Sequence, residues 1–134
     1  AWAGGITVYL AGDAGPVAQS IVDAVRVYIA ERLTAPARLN VESAVGLVIP
    51  VSGPMKLSPQ ATAADVDAAK ARLDAYATIL DIGELVYRSE VIGALVYPPG
   101  GLIRDFKPTA PVGDKQPNRN QVVSFDSSGI VTSV

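Results

Sequence analysis

The chain has 134 residues, 49% of them hydrophobic, and a formal net charge of −2, the length and apolar content of one ordinary domain with a packed core rather than a disordered polymer. It contains neither cysteine nor histidine, so disulfides, thiolate nucleophiles, Ser-His and Cys-His machinery and the commonest zinc ligands are excluded together. Its eleven Lys and Arg are scattered from Arg26 to Arg119 with no cluster able to follow a phosphate backbone, and no apolar run approaches the ~20 residues of a membrane-spanning helix.

The opening Ala1-Trp2-Ala3-Gly4-Gly5 has no initiator Met and no basic segment leading into an apolar one. It does not read as a signal peptide, and it suggests a processed chain or a fragment of a longer one. Ile6-Thr7-Val8-Tyr9-Leu10 is β-branched and aromatic, which suits a strand. The turn segment Gly12-Asp13-Ala14-Gly15-Pro16 then places Pro16 at the first position of a helix, where its missing N–H does no harm. Val17, Ile21, Val25, Tyr28 and Ile29 recur at helical spacing and predict an amphipathic helix ending near Leu33, closed by Pro36.

Arg38 to Ser43 alternates polar and apolar as a half-exposed strand does. Leu47 to Leu57 keeps apolar residues at odd positions, and Ala44-Val45-Gly46 between the two runs is expected to close a hairpin. Pro50 and Pro54 each remove a ladder donor, which argues for an irregular or edge strand. Thr62 and Asp65 form a capping pair before a helix whose buried face is Val66, Ala69, Leu73, Tyr76, Ala77 and Leu80, stopping at Gly83. Ser89 caps a short helix over Glu90 to Val96, and Leu102 to Phe106 reads as a strand. The Pro-, Gly- and Asn-rich stretch from Lys107 to Gln121 predicts a surface linker. Val122 to Phe125 and Ile130 to Thr132, flanking Asp126-Ser127-Ser128-Gly129, predict a terminal hairpin.

The order strand, helix, strand, strand, helix, strand predicts an α+β, ferredoxin-like split βαβ sandwich (βαββαβ) over residues 1–107. An extra short helix decorates it, and residues 108–134 form an extended C-terminal arm with a hairpin.

Little in this sequence is arranged for chemistry. The Gly12 to Pro16 loop is a weak anion cradle, lacking the Lys of a phosphate loop and the glycines of a dinucleotide fingerprint, and reads first as a strand-to-helix turn. Asp65, Asp67, Asp74 and Asp81 lie along or beside one helix, where Asp67, Asp74 and Lys70 make a solvated, salt-bridged face rather than an acid-base pair. Asp13, Asp105 and Asp114 have no calcium-loop spacing. Catalytic, cofactor and metal residues are therefore expected to be none. The tyrosines, including Tyr28 and Tyr76 on helical stripes, read as core rather than as a stacking platform for RNA. Trp2 serves either as an anchor in a partner's pocket or as a lid on its own domain. The C-terminal segment, through Val122, Phe125 and Ile130, is suited to pairing with a neighbour or to a local hairpin. Two rival readings are a small acylphosphatase-like hydrolase using the Gly12 to Gly15 cradle, which lacks the Arg and Asn such a site wants, and a ligand- or RNA-binding regulatory domain.

In its succession of segments the chain resembles the baseplate J-like proteins of contractile-tailed phages, the family of Mu-like and P2-like wedge subunits. The segments are Gly5 to Gly12 leading to the Val17 to Ile29 helix; Thr34 to Val41 followed by Ile49-Pro50-Val51-Ser52; Leu80-Asp81-Ile82-Gly83-Glu84-Leu85-Val86-Tyr87-Arg88-Ser89-Glu90-Val91-Ile92; Pro99 to Phe106; and Ile130 to Val134. Together they span about Gly5 to Val134 and are similar to the C-terminal part of the longer family members. The resemblance implies a virion structural protein of the tail baseplate, assembled in the host cytoplasm. Its partners would be other wedge subunits and tail hub or tube proteins, in a homo- or hetero-oligomer. It implies no catalysis, no cofactor, no nucleic acid and no membrane span.

Overall fold

One long run of strand that changes sheets at a single small residue organises the molecule. In a computed structural model, which describes residues 5–12, 15–32 and 38–134, the elements follow the order β1 (Gly5–Gly12), β2 (Gly15–Pro16), α1 (Gln19–Ala30), β3 (Arg38–Ser43), β4 (Val45–Leu57), α2 (Ala63–Ile79), α3 (Arg88–Leu95), β5 (Ile103–Phe106) and β6 (Gln121–Ser133). Only Ala44 separates β3 from β4. Its N–H donates to the Leu10 carbonyl at 2.7 Å, while the N–H of Val45 donates to Asn120 at 2.8 Å. The chain thus leaves one sheet and enters the next without turning back.

The architecture is mixed α+β, with two three-stranded sheets ordered β2-β1-β3 and β5-β4-β6 among the described residues. β1 and β3 are parallel, joined by α1, and β4 and β6 are parallel as well. This pairing departs from the split βαβ expectation, in which four strands share one antiparallel sheet. The hairpin foreseen at Ala44 to Gly46 is absent because nothing there bends the chain: the described glycines with positive φ are Gly15, Gly53, Gly83 and Gly100, and Gly46 is not among them. A tight two-residue hairpin demands positive φ.

β4 is central, not an edge strand, yet its prolines leave their mark as foreseen. The register against β6 shifts between Pro50 and Ser52, where β6 runs from Asp126 to Gly129. Pro50 has no N–H to offer the ladder, so an extra residue on the neighbouring strand is accommodated there as a bulge. The terminal hairpin expected around these residues does not form, and β6 is one continuous strand against β4. Its segment is therefore built into the second sheet rather than lying apart as an arm.

The linker preceding β6 is tied down too. Ser52 N–H donates to Ala110 at 3.0 Å, Thr109 N–H to Ser52 at 2.9 Å, and Val86 and Lys115 exchange backbone bonds at 2.8 and 2.9 Å. Gly53 makes this approach possible: with φ at +139°, a Cβ there would lie 2.5 Å from the Lys107 carbonyl oxygen. No other residue type fits that position without moving backbone.

α2 and α3 cover one face of the second sheet. Ile49, Val51 and Met55 of β4, Ala69 and Leu73 of α2, Val91 and Leu95 of α3, Ile103 and Phe106 of β5, and Val123 and Ile130 of β6 form one buried cluster. The Asp65 carboxylate accepts from the Thr62 N–H at 2.7 Å and from its hydroxyl at 3.0 Å, the capping interaction expected of that pair. α3 starts at Arg88, two residues earlier than expected, so Ser89 lies inside its first turn rather than capping it. The first sheet has a smaller core, with Val22 of α1 against Val41 of β3.

Candidate functional site

Pro16 does not open α1. It lies in β2, paired antiparallel with β1 through Ala11 and Pro16 and through Gly12 and Gly15, and the helix begins at Gln19 after Ala18. The Gly12 to Pro16 turn is therefore a reversal of strand, separated from the helix N-terminus by Val17, whose N–H donates to the Ser43 hydroxyl at 3.0 Å. Asp13 and Ala14 lie outside the described residues, as do Trp2 and the Thr34 to Ala37 segment. Among the described residues, no three Asp or Glu side chains come together as metal ligands, and no helix is long and apolar enough to cross a membrane.

A cleft of about 420 Å³ opens among the described residues. On one side stands the β1-β2 reversal, through Gly12, Gly15 and Pro16; on the other, the end of α2 and the residues after it, through Asp74, Thr78 and Asp81; Val122 to Phe125 of β6 also line it. Pro16 packs near Gly46 at the start of β4. Among the described residues, Asp74 and Asp81 are the charged groups that line the cleft, with no Lys or Arg beside them. Of the four aspartates singled out in the sequence, Asp74 and Asp81 line this one cleft, Asp65 is committed to its cap, and Asp67 is exposed. The expected ion pairs with Lys70 do not form: among the described residues the pairs are Arg26 with Asp23 at 3.2 Å and Lys107 with Asp105 at 3.8 Å.

β6 is an edge strand of its sheet, and its backbone direction can be followed from its first residue. Gln121 receives the N–H of Gly83 on its carbonyl and donates its own N–H to Asn118, both at 2.9 Å, while Asn120 serves Val45 of β4. Gln121 thus turns both backbone groups away from β4. Alternation along a strand then turns those of Val123 and Phe125 the same way, toward the cleft that they line.

The residues expected to meet partners fall into different environments. Val122 and Ile130 are buried, each 9% exposed, and Ile130 lies opposite Gly53. Phe125 is half-buried and stacks on Tyr76, with ring centroids 5.9 Å apart. These side chains build the chain's own core because β6 is an integral strand, and Ile130 is not a surface contact. The tyrosines also divide: Tyr76 packs inside as expected, whereas Tyr28, Tyr87 and Tyr97 are exposed. The Arg32 guanidinium lies 3.5 Å above the Tyr28 ring.

Sequence reasoning missed the outward apolar surface. Ile21, Val27 and Tyr28 of α1 are 50%, 58% and 57% exposed, on the side of the helix turned away from Val22. On the second sheet, Val48, Pro50 and Pro54 of β4 and Val131 of β6 are exposed as well. The stripe expected from the sequence, Val17, Ile21, Val25, Tyr28 and Ile29, is only partly the one that turns inward: Val22, Val25 and Ile29 face the sheet, while Ile21 and Tyr28 are exposed. The available signal was that Val22 and Val27 fall outside that stripe, so a single face cannot account for all of this helix's apolar residues.

Compared with known protein families and with curated proteins, the chain matches no family model and no curated sequence.

Proposed function

We propose that this chain is a structural subunit of a contractile tail baseplate, a wedge component that works through contacts with other wedge subunits and with hub or tube proteins in the virion. The observation that carries the reading is α1. It buries Val22 against its own sheet and still turns Ile21, Val27 and Tyr28 outward. A helix apolar on two sides is ordinarily covered on both.

The parallel β4-β6 pair adds to this. Parallel strands are normally covered on both faces, whereas α2 and α3 cover one face here and Val48, Pro50, Pro54 and Val131 are exposed. A subunit that completes its layers by meeting neighbours would carry such surfaces. The succession of segments similar to baseplate J-like proteins supplies the class of neighbour.

Immunogold electron microscopy of tail particles assembled with a tagged copy tests this. Label is expected at the distal end of the tail, and the Ile21→Asp/Tyr28→Ser double variant, folded by circular dichroism, is expected to drop out of particles. Label confined to particle-free protein, or a double variant incorporated as well as the parent, would overturn the proposal.

A further inference from the structure

The backbone edge of β6 within the cleft is unpaired by any described residue, and its occupant is specified by chemistry. From the alternation set by Gln121, Val123 and Phe125 turn their N–H and C=O groups outward. No hydrogen bond from a described residue reaches them on that side. A row of alternating donors and acceptors at strand spacing is satisfied by another extended backbone, as in strand addition to a sheet edge.

Between Gln121 and Phe125 the edge also lacks the usual protections, since the bulge and Asp126 lie beyond that stretch. From Gln121 to Ser133 the strand has no Pro and no Lys, and its one charge is Asp126 at the bulge. Edge strands that stay unpaired are commonly blunted by such residues. Here the Gln121 end is closed by the Gly83 N–H, and the stretch beyond it opens into a cleft walled by the β1-β2 reversal and the end of α2.

Charge narrows the choice of occupant. Asp74 and Asp81 line the cleft, and among the described residues neither has an ion-pair partner and no Lys or Arg lines the cleft to balance them. A second copy presenting its own β6 would bring no cation to these carboxylates, because β6 contains none. An extended segment of a different chain, largely uncharged and carrying one Lys or Arg, fits both the backbone and the charge.

We infer that the cleft beside β6 is an acceptor site for such a segment, which adds as a strand along Val123 to Phe125 and places its basic side chain near Asp74 and Asp81. This does not rest on the tail assignment, since it follows from the edge and the charge alone.

Two measurements on the whole chain test it. In the free protein, amide hydrogen exchange should be fast at Val123 and Phe125 and slow at Ser124, which faces β4. Peptides of about seven residues, a usual strand length, alternating Val and Thr around a central Lys, should then slow exchange at Val123 and Phe125. Replacing the Lys by Glu, or the acceptors by Asp74→Asn and Asp81→Asn together, should weaken binding about threefold or more, the scale of partly exposed ion pairs.

N-methylation of alternate peptide amides should abolish binding. Equal binding by the methylated peptide would mean an apolar groove without strand addition and would overturn the inference. So would protection of Val123 and Phe125 in the free monomer, or no response to any peptide. Concentration-dependent self-association that protects the same amides would assign the edge to a second copy and equally overturn it.

Discussion

The Tyr76 hydroxyl is buried with no hydrogen-bond partner among the described residues. Its pKa is pushed above the usual tyrosine value, first by burial and then by the Glu90 carboxylate nearby. Both effects favour the neutral phenol, so this group does not ionise in the ordinary pH range. An unsatisfied buried hydroxyl costs free energy, whereas the ring stacked on Phe125 is worth keeping. Tyr76→Phe is therefore expected to leave stability unchanged or raise it by up to ~1 kcal/mol, read from urea unfolding. A loss larger than that would mean the hydroxyl has a partner. Asp126 is shifted the other way: the Ser128 hydroxyl and then the Ser128 backbone N–H, the latter 3.0 Å from the carboxylate, hold its pKa below the ordinary aspartate value. A depressed carboxyl contributes stability that is present above its unfolded pKa of ~3.9 and is lost as pH falls through the folded value. Because Asp126 is fully exposed, the effect belongs to the local turn. An NMR titration should show Asp126 titrating below other exposed aspartates, with Ser128→Ala moving it back up.

At the scale of single elements, the ends of α3 show what sequence spacing could not. Ser89 looks like the cap, but the carboxylate of Asp114, 26 residues away, accepts the Arg88 N–H at 2.8 Å. At the other end the Arg72 guanidinium donates to the carbonyls of Ala94 and Leu95 at 2.9 and 3.3 Å. Negative charge at a helix start and positive charge at its end both suit the helix dipole. Asp114→Ala should cost ~1 kcal/mol, lowering Tm by about 4 °C for a domain of this size, while Ser89→Ala should change little. The reverse ranking would return the cap to Ser89. The capping pair of α2 was legible because Thr62 and Asp65 are neighbours in sequence, as was its buried face, since one helix period fixes it. Where the partner is distant, local pattern carries no sign of it.

For the whole molecule, β6 decides the architecture. It is the parallel partner of β4 along nearly its whole length and contributes Val123 and Ile130 to the main core. Removing residues 121–134 should abolish cooperative unfolding, seen as loss of near-UV circular dichroism and of a sharp urea transition. A separable arm would leave both intact. The milder Ile130→Ala should cost ~2 kcal/mol, at the low end for a buried Ile because a little of the side chain is exposed.

Local pattern by itself determined that β-branched runs at Ile6, Val41, Val48, Ile103 and Val131 would be extended and that three stretches would be helical. It also determined that a mixed α+β core would form, because apolar periodicity and caps act within a few residues. Tertiary structure alone decided which strands pair. Ala44 and Gly46 permit either a turn or a straight passage, and Asp126 to Gly129 permit either a hairpin or a bulge. In both places the straight path won, because parallel pairing of β4 with β6 buries Val123 and Ile130 over α2 and α3, and no local preference registers a contact between residues some eighty positions apart.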